Sequence, residues 1–506
     1  MIKEAKSKAW SEFGKNLNKD YKTATKRFYK TIKVMRTRTE KHDPTELIND
    51  KEGKPISNKQ RTLRRWKEYF SELLNTTLSN NTAKETIQSC NEQEPNILIE
   101  EIAEVIKKAK NNKAPGIDNI PLEIIRAAGV TGLYWLHRIF NTAWRQQKTP
   151  TDWRKSIIVP IWKRKGSKRD CNQYRGISLL SHAGKLYAKI VEKRLRPVLE
   201  QQLSNTQMGF RRNRGCTDAI FILKQLAEKS IEYNQNLYIS LIDQEKAFDR
   251  VNREKLWETL KTYGVHQHLI NICRSLYTNS RCTVRTAAGY TEDFVISTGV
   301  KQGCVLSPLL FITYMDHINK TANPNETNEL LFADDQVLFH NSIQNLQEHL
   351  NILDTTGKQF GMKINIDKTE IMNIAREKGN INIQINNKQL KQVDEFKYLG
   401  SILRYDNKQE AEIDARCNKA CQIIGQLTPL LQNKDVTIET KRALFNTIFL
   451  PTLCYQCQTW TLDSRTIHKI NTTEMKCVRR MIGVSLRDKI RNEELRKQLG
   501  ITSTLE

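Results

Sequence analysis

Two acidic segments of the chain have the residue types of a metal-dependent phosphoryl-transfer site. The apolar run at 237–243 ends on Asp243, and a second run at 330–339 carries Asp334 and Asp335 between apolar flanks. Oxygen ligands suit Mg²⁺, and a pair of such ions can stabilise both the attacking and the leaving oxygen of a phosphoryl group. The three carboxylates are therefore candidate catalytic residues and candidate ligands of two Mg²⁺ ions, with Mn²⁺ as a substitute.

A simpler interpretation exists for Asp243, because Asp is also a good N-cap for the helix predicted after it. The pair Asp334 and Asp335 is harder to explain without a cation. Continuous apolar residues flank the pair, which is typical of a hairpin that is covered on both faces. Adjacent carboxylates in such a hairpin are costly unless a cation or a salt bridge neutralises them. The pattern favours a metal role.

The composition indicates a polyanionic partner. The 506 residues include 82 Lys and Arg against 56 Asp and Glu, a formal net charge of +26, and such an excess favours nucleic acid over an acidic membrane surface. There is no apolar run of about 18 residues that could cross a membrane and no apolar signal core at the N-terminus. Eleven scattered cysteines are typical of reduced, intracellular thiols.

Apolar spacing predicts a mixed α+β protein. Leu63, Trp66 and Phe70 lie at helical spacing and predict an amphipathic helix with a basic outer face over 61–75. The polar stretch 76–98 is typical of a linker. Beyond it the pattern predicts helices near 99–109, 122–128, 183–200 and 217–232, strands at 156–161 and 237–242, a strand-turn-strand unit at 330–339, a strand pair around 381–402, and a basic helical region at the end.

Seven short motifs occur in a fixed order across this region. They are AlaProGlyIleAsp, TyrArgGlyIleSerLeuLeu, an Asp followed by AlaPheAsp, GlnGly with SerProLeu, PheAlaAspAsp, Asn with LysThr, and TyrLeuGly, at 114–118, 174–180, 243–249, 302–309, 332–335, 365–369 and 398–400. Over roughly 100–490 the order and spacing resemble the reverse transcriptase of non-LTR (LINE-type) retrotransposons. Polymerases of mobile-intron or retron type share this chemistry, but the form of the second and fifth motifs favours the non-LTR group.

The resemblance implies roles for the matching residues. Asp243 and Asp334 match the two essential metal-binding aspartates, with Asp335 as the adjacent third carboxylate. Phe248 matches an aromatic gate that excludes a ribose 2′-hydroxyl, although a core-facing helical Phe would have the same spacing. Tyr398, Leu399 and Gly400 match the hairpin that grips the primer end.

The remaining matches concern the nucleotide. Gln302 and Gly303 match the segment that lines the nucleotide pocket, and Lys368 matches the lysine near the pyrophosphate leaving group, although it could also be a solvated turn lysine. Basic residues pair readily with phosphate, which makes Lys163 and Arg175 candidates to hold the triphosphate. The family usually has Pro at position 176, where this chain has Gly, and Gly loosens a turn that Pro would preset.

The implied fold is a right-hand polymerase in three parts. These are a basic helical N-terminal extension and linker at 1–98, fingers and palm at 99–403, and a helical thumb and C-terminal extension at 404–506. The implied activity is RNA-directed DNA synthesis from a primer 3′-hydroxyl, with an RNA template, a DNA primer or target and dNTPs as partners and no membrane. The resemblance also implies the nucleus, with a cytoplasmic ribonucleoprotein stage.

Two further expectations concern the state of the protein. The first hundred residues are too few and too polar for the endonuclease domain that family members often carry upstream, so we expect a truncated element. The alternative function is a catalytically idle or repurposed nucleic-acid-binding remnant with the same fold. The intact carboxylates argue against this alternative, whereas Gly176 and the missing endonuclease domain leave room for it.

Overall fold

The computed structural model describes residues 2–37, 47–75, 94–325 and 327–505. Most of the predicted linker lies outside these ranges. The α-helices are α1 Ile2–Thr23, α2 Thr25–Thr37, α3 Lys59–Leu73, α4 Ile99–Lys108, α5 Leu122–Ala127, α6 Gly129–Arg145, α7 Thr151–Arg154, α8 His182–Gln202, α9 Cys216–Glu232, α10 Ala247–Arg250, α11 Arg253–Thr262, α12 Gln267–Tyr277, α13 Ser307–Ala322, α14 Ile343–Gln359, α15 Glu410–Leu431, α16 Ile438–Leu444, α17 Leu450–Leu453, α18 Ser464–Ile482 and α19 Asn492–Leu499.

Sixteen strands are described in the same ranges. They are β1 Ile48–Asn49, β2 Pro55–Ile56, β3 Lys155–Trp162, β4 Tyr174–Leu179, β5 Leu237–Asp243, β6 Arg281–Thr286, β7 Gly289–Tyr290, β8 Phe294–Val295, β9 Glu329–Phe332, β10 Asp335–His340, β11 Glu370–Ile374, β12 Gln384–Ile385, β13 Lys388–Gln389, β14 Lys391–Gln392, β15 Glu395–Tyr398 and β16 Ser401–Arg404. The α+β class and the main predicted helices and strands are confirmed.

The palm sheet has the strand order β14-β11-β5-β10-β9. Strand β10 lies between β5 and β9 and is antiparallel to both. Successive side chains of a strand point to opposite faces, and here both faces are covered: Leu241 and Val337 pack in one core cluster with α9, whereas Ile242 and Leu338 pack in another with α13 and α14. Burial on both faces explains the continuous apolar runs in the sequence.

A second sheet, the fingers sheet, has the order β4-β3-β6-β7, with β8 also paired to β6. Helix α3 covers one of its faces. Trp66 and Phe70 are fully buried there, and the Trp66 ring meets Tyr174 edge-on at 5.1 Å between centroids. Part of the predicted N-terminal extension is thus a layer of the fingers core.

The C-terminal helices form a third core, which includes the first two helices of the chain. Leu17 of α1 and Phe28 of α2 are buried in one cluster with side chains of α15 and α18. The segment 1–98 therefore contributes to three separate cores, since Ile97 is also buried in the main cluster of the palm, and the predicted three-part division of the chain stays a prediction. Within the residues that the structure describes, no helix is long and apolar enough to span a membrane.

Candidate active site

The three candidate carboxylates meet at one edge of the palm sheet. Asp243 is the last residue of β5 and lies directly opposite Asp335, the first residue of β10, in the antiparallel register. Asp334 lies in the two-residue turn that joins β9 to β10. We call these three residues the carboxylate edge. The N-cap of α10 is Lys246 and not Asp243, so the simpler interpretation of Asp243 is wrong.

The flanks of the hairpin are buried, as predicted, but the carboxylates of its turn are exposed. Leu331 and Val337 have no exposed surface, whereas Asp334 and Asp335 are exposed residues at the sheet edge. A buried position for the pair, implied by the apolar flanks, is therefore wrong. The reason is local: Asp334 lies in the turn and Asp335 is the first residue of β10, so both stand at the end of the covered strands. Substrate and ions from solvent can reach both side chains.

Protein atoms around the edge still perturb its carboxylates. Partial desolvation, then repulsion by Asp334 and Asp243, raises the pKa of Asp335 to about 6. Desolvation and, more weakly, the charge of Asp243 also raise the pKa of Asp334. The charge of Arg175 lowers both pKa values, so this residue faces the carboxylates from the fingers sheet. A cation at this edge would relieve the repulsion.

Lys368 lies against this edge. Its Nζ is 3.2 Å from Oδ2 of Asp243. The turn that carries it is attached to β5, because Asn365 N–H donates to the Asp243 carbonyl at 2.8 Å and the Asp243 N–H donates to Thr369 Oγ1 at 3.4 Å. The predicted Asn-LysThr motif therefore places its lysine beside the candidate metal ligands.

The donor set at the edge fits a divalent cation of the oxygen-preferring kind. Three carboxylates repel one another there, and Mg²⁺ usually takes one or two protein carboxylates and completes its shell with water and substrate phosphate. As they stand, no three His, Cys, Asp or Glu side chains in the described ranges converge closely enough to hold an ion. The protein alone supplies part of a coordination shell, which is what a site that shares its ions with a substrate requires.

Four cationic side chains lie near one another beside the palm sheet, and two of them, Lys368 and Arg175, act directly on the carboxylate edge. The pKa of Lys163 is lowered by desolvation first and then by the charges of Lys368, Lys246 and Arg175, which places these three side chains within electrostatic range of Lys163. The Nζ of Lys163 donates to the Asn172 carbonyl at 2.9 Å, and the Nζ of Lys246 lies 3.4 Å from Oδ1 of the same residue. We call these four residues the cation cluster. Its arrangement suits a polyphosphate.

Lys246 is a member that sequence reasoning missed. It adopts a left-handed conformation, with φ of 51°, which a non-glycine residue holds only when its surroundings over-determine it. Its Nζ lies over the ring of Tyr69, 5.1 Å from the centroid. Its place directly before AlaPheAsp was a signal, but the contact with Tyr69 of α3 could not be read from the sequence.

Next to the cation cluster, the fingers and the palm meet in close backbone contact. The Ser178 N–H donates to the Gln302 carbonyl at 2.7 Å. Gly303 has φ of 117°, and a Cβ on it would lie 2.7 Å from the Ser178 carbonyl oxygen, so only glycine fits without a shift. We call Gly176, Ser178, Asp249, Gln302 and Gly303 the pocket wall. Ser178 and Arg175 belong to the same strand, β4. The contact with Ser178 therefore brings the predicted pocket residues Gln302 and Gly303 near to Arg175.

Asp249 is a second residue that the sequence prediction left out. Its Oδ1 accepts a hydrogen bond from Gln302 Nε2 at 2.9 Å. Desolvation raises the pKa of Asp249 to about 6, against the lowering effect of the Gln302 hydrogen bond and of Lys246. The bond orients the Gln302 amide with its nitrogen towards Asp249, which leaves its oxygen to face elsewhere. The sequence did carry a signal for this residue, because Asp249 is the last residue of the AlaPheAsp motif.

Phe248 packs on the core, as the simpler of the two interpretations made from the sequence predicts. Its ring stacks on Phe311 with centroids 4.0 Å apart and planes at 15°, and it packs against the main core as a partly buried residue. Its carbonyl accepts a hydrogen bond from the Val300 N–H at 2.9 Å, which ties the short helix α10 to the segment that leads to Gln302. Its role as a sugar gate stays a prediction.

The departure at Gly176 has a structural reason. A Cβ there would lie 2.7 Å from Cε1 of Phe70 and 3.0 Å from Cγ2 of Ile158, because helix α3 packs directly on this strand. Gly176 is paired with Pro160 in a regular antiparallel register, and its neighbour Arg175 is held by the same pairing. The missing proline therefore does not leave Arg175 loosely positioned.

The predicted primer-grip residues form the turn of the β15–β16 hairpin. Leu399 and Gly400 are its two loop residues, with φ of 48° and 90°. Tyr398 is buried beneath them, and its pKa is raised by desolvation and, further, by the charge of Asp335. The hairpin therefore lies beside the carboxylate edge, and the structure brings the catalytic, nucleotide and primer candidates into one region.

A sheet edge with paired aspartates, flanked by a cation cluster and a hairpin turn, is the arrangement that the resemblance predicts for a right-hand polymerase. Residues 163–403 match the family model for reverse transcriptase (RNA-dependent DNA polymerase). A probable RNA-directed DNA polymerase from transposon BS of Drosophila melanogaster is 28% identical over 388 residues, which cover 73% of this chain and 42% of that protein.

Other relatives are of the same kind. The RNA-directed DNA polymerase from mobile element jockey of Drosophila funebris is 25% identical over 76% of this chain and 44% of its own length. Apo telomerase from Candida Tropicalis aligns with 15% identity and a TM-score of 0.39, over 70% of this chain and 69% of that one, a similarity too weak for any functional conclusion. This chain carries a reverse transcriptase domain of the non-LTR retrotransposon type.

The predicted family and fold class are thereby confirmed, and the predicted enzyme class agrees with the descriptions of these relatives. Reverse transcriptases in general use divalent metal ions, so the coarser prediction of a metal cofactor stands. The chain spans less than half the length of these two curated relatives, 42% of the BS protein and 44% of the jockey protein. The expectation of a truncated element stays a prediction.

Proposed function

We propose that the chain is the RNA-directed DNA polymerase part of a non-LTR retrotransposon protein, which extends a primer 3′-hydroxyl with dNTPs. One observation carries the proposal: Asp243 faces Asp335 in the register of two neighbouring strands, with Asp334 in the adjoining turn. Two acidic motifs that are far apart in the sequence supply one site, as a two-ion mechanism requires.

Asp243 and Asp334 are the residues that would hold two Mg²⁺ ions, or Mn²⁺ in their place, with Asp335 beside them. Bound there, such ions lower the pKa of a primer hydroxyl and neutralise the leaving pyrophosphate. The exposure of Asp334 and Asp335 suits this role, since the coordination shell must be completed by the incoming nucleotide.

The side chains around the carboxylate edge would bind the substrates. The cation cluster holds the triphosphate by charge-assisted hydrogen bonds, with Lys368 nearest to the leaving group because of its contact with Asp243. Gln302 and Gly303 line the nucleotide pocket, Phe248 lies against the sugar, and the turn at 398–400 holds the primer end. An RNA template, a DNA primer or target and dNTPs are the partners, and the net charge of +26 favours binding to such polyanions.

The location that we propose is the nucleus, with a cytoplasmic ribonucleoprotein stage, because target-primed copying takes place on chromosomal DNA. The catalytically idle remnant is the less favoured alternative. One of its two supports was Gly176, and the packing of Phe70 on that residue gives the glycine a structural reason.

A primer-extension assay with Asp334→Ala tests the proposal. We expect the variant to lose polymerisation on a poly(rA) template with an oligo(dT) primer, by about 10³-fold or more if the ions stabilise the transition state by several kcal/mol. Binding of the template is expected to stay within about twofold, because phosphate contacts dominate it. Asp293→Ala, at an exposed surface ion pair with Arg281, is the matched control.

Two results would decide against the proposal. If Asp334→Ala extends the primer at a near wild-type rate, the catalytic assignment is wrong. If the wild-type protein binds RNA in a salt-dependent manner but shows no extension with Mg²⁺ or Mn²⁺, the idle remnant becomes the better description.

A further inference from the structure

The turn between β15 and β16 has an unusual residue in a left-handed conformation. Leu399 has φ of 48° and Gly400 has φ of 90°. Two-residue hairpin loops with positive φ at both positions favour Asn, Asp or Gly at the first position, and a Leu there is disfavoured by contact between its Cβ and the backbone. Such a conformation persists only when the surroundings hold it in place. The surroundings of this turn are therefore informative.

Both carbonyl groups of the turn are bound by side chains of the C-terminal region, Arg416 of α15 and Tyr455 of the turn that follows α17. The Oη of Tyr455 donates to the Leu399 carbonyl at 2.9 Å, and the guanidinium of Arg416 donates to the Gly400 carbonyl. The Tyr455 ring also lies against the turn, since a Cβ on Gly400 would be 3.2 Å from its Cε1. A residue larger than glycine would push the turn away from this ring.

Arg416 is itself held by a buried network. Its Nε is 2.5 Å from Oε1 of Glu412, and both side chains are almost fully buried. The other carboxylate oxygen of Glu412 accepts a hydrogen bond from the Ile402 N–H of β16 at 2.7 Å. The guanidinium also lies 4.6 Å from the centroid of the Tyr455 ring. A buried ion pair contributes little to stability by itself but can specify one arrangement, and here it specifies how the hairpin joins helix α15.

The same hairpin packs on the palm sheet. Tyr398 and Leu403 belong to one core cluster with Leu241 of β5 and Val337 of β10, the strands that carry Asp243 and Asp335. The turn is therefore attached to the carboxylate edge on one side and to the C-terminal helices on the other.

We propose that Tyr455 and Arg416 are positioning residues, which hold the turn at 399–400 in the conformation that places a primer 3′-end against the carboxylate edge. This inference rests on the proposed polymerase function and adds residues outside the matched family region. Neither side chain need touch the primer. A displacement of α15 and Tyr455 would be transmitted to the turn through its two carbonyl groups.

Tyr455→Phe is the most informative variant, because it removes one hydrogen bond and keeps the ring. We expect the KM for primer–template to rise by about three- to tenfold, the range for loss of one hydrogen bond, while the KM for dNTP stays unchanged. Extension of a primer with a mismatched 3′-end should change relative to a matched one. Tyr405→Phe is the control, since Tyr405 lies at the end of the same hairpin and its ring contacts Lys378 Nζ at 4.9 Å without bonding the turn.

A rescue variant separates positioning from a general loss of packing. Leu399→Asn introduces a residue that tolerates the left-handed conformation, so in the Tyr455→Phe background it should return the primer–template KM towards the wild-type value. A purely structural role of Tyr455 would not be rescued by relaxing the turn. For Arg416, the paired variant Glu412→Gln with Arg416→Met avoids a buried unpaired carboxylate and should reproduce the Tyr455→Phe phenotype.

Hydrogen–deuterium exchange over 395–404 tests the same idea without activity. Tyr455→Phe should accelerate exchange in this peptide, whereas Tyr405→Phe should not. The inference is wrong if Tyr455→Phe leaves both the primer–template KM and the exchange rate at wild-type values. Because exchange is measured on the free protein, an inactive wild-type chain would contradict the proposed function and still leave this readout decisive for the turn.

Discussion

The carboxylate edge and the pocket wall beside it are positioned in different ways. The edge depends on main-chain pairing: the register of β5 and β10 places Asp335 opposite Asp243. The wall depends on packing between segments that are distant in the chain, such as Gly303 on the Ser178 carbonyl and Phe70 on Gly176. Regular pairing tolerates changes of side chain, whereas close packing does not. Substitutions in the two regions should therefore fail for different reasons.

The largest effect is expected at the edge. Asp243→Asn keeps the size of the side chain and the strand pairing but removes a charge, so catalysis should fall by about 10³-fold or more while thermal unfolding changes little. Steady-state primer extension and a melting curve measure the two quantities. A loss of activity below tenfold would contradict the catalytic role of the edge. A large loss of stability would show that the edge, like the wall, depends on side-chain packing.

A smaller loss of activity, through packing, is expected at Gly303. Gly303→Ala would place its Cβ against the Ser178 carbonyl and move Gln302, which should reduce kcat/KM by about 10- to 100-fold, since small displacements in a site are costly. Gly264→Ala is the matched control, because Gly264 also has positive φ, 74°, but nothing lies within 4 Å of its Cβ position. Equal losses in the two variants would show that backbone strain alone, and not the close contact, matters.

The contact between Phe70 and Gly176 should appear as a coupling in stability. Gly176→Ala overpacks this site and should lower the free energy of unfolding by about 1–3 kcal/mol. In a Phe70→Ala background, the same change should cost less than about 0.5 kcal/mol, because the ring that it displaces is gone. Urea denaturation of the four proteins in this cycle gives the coupling. Additive losses would mean that α3 does not press on the pocket wall.

The smallest effect concerns charge inside the wall. The folded protein raises the pKa of Asp249 to about 6 from an ordinary 3.8, so the stability that this group contributes is present below about pH 4 and is lost as the pH rises through 6. Asp249→Asn keeps an acceptor for Gln302 but cannot ionise. Relative to wild type it should gain on the order of 1–2 kcal/mol between pH 4 and pH 7.5.

Urea denaturation of Asp249→Asn and wild type at these two pH values measures that difference. The same variant should lose activity modestly if the negative charge orients the Gln302 amide and Lys246. A stability difference that is independent of pH would show that Asp249 is not desolvated in the folded protein.

Much of the edge was predictable because its signals are local. An apolar run that ends on Asp243, and a second that surrounds Asp334 and Asp335, indicate strand ends, and strand ends of one sheet meet. The predicted helix over 61–75 is likewise observed as α3, Lys59–Leu73, because helical spacing of apolar residues is a property of the segment itself. The exposure of Asp334 and Asp335 was predicted wrongly, since apolar flanks report the burial of the strands and not that of the turn between them.

The wall and the primer-grip turn were predictable only in part. Gln302 and Leu399 were identified from motifs, but their partners Asp249 and Tyr455 were not. Nothing in the local pattern of Tyr69 indicates that its ring will lie against Lys246. These pairs form where separate elements of the fold pack together. How the elements pack depends on the complementarity of large surfaces, which no local sequence pattern reports.

The amino-acid sequence by itself thus determined the family, the three carboxylates, most helices and strands, and the excess of positive charge. Only the tertiary structure decided that α3 forms one layer of the fingers core, that Lys246 joins the cation cluster, and that Tyr455 and Arg416 hold the turn at 399–400. The physical reason is that periodicity and motif chemistry act within one element, whereas contacts between elements depend on how their packed surfaces fit together.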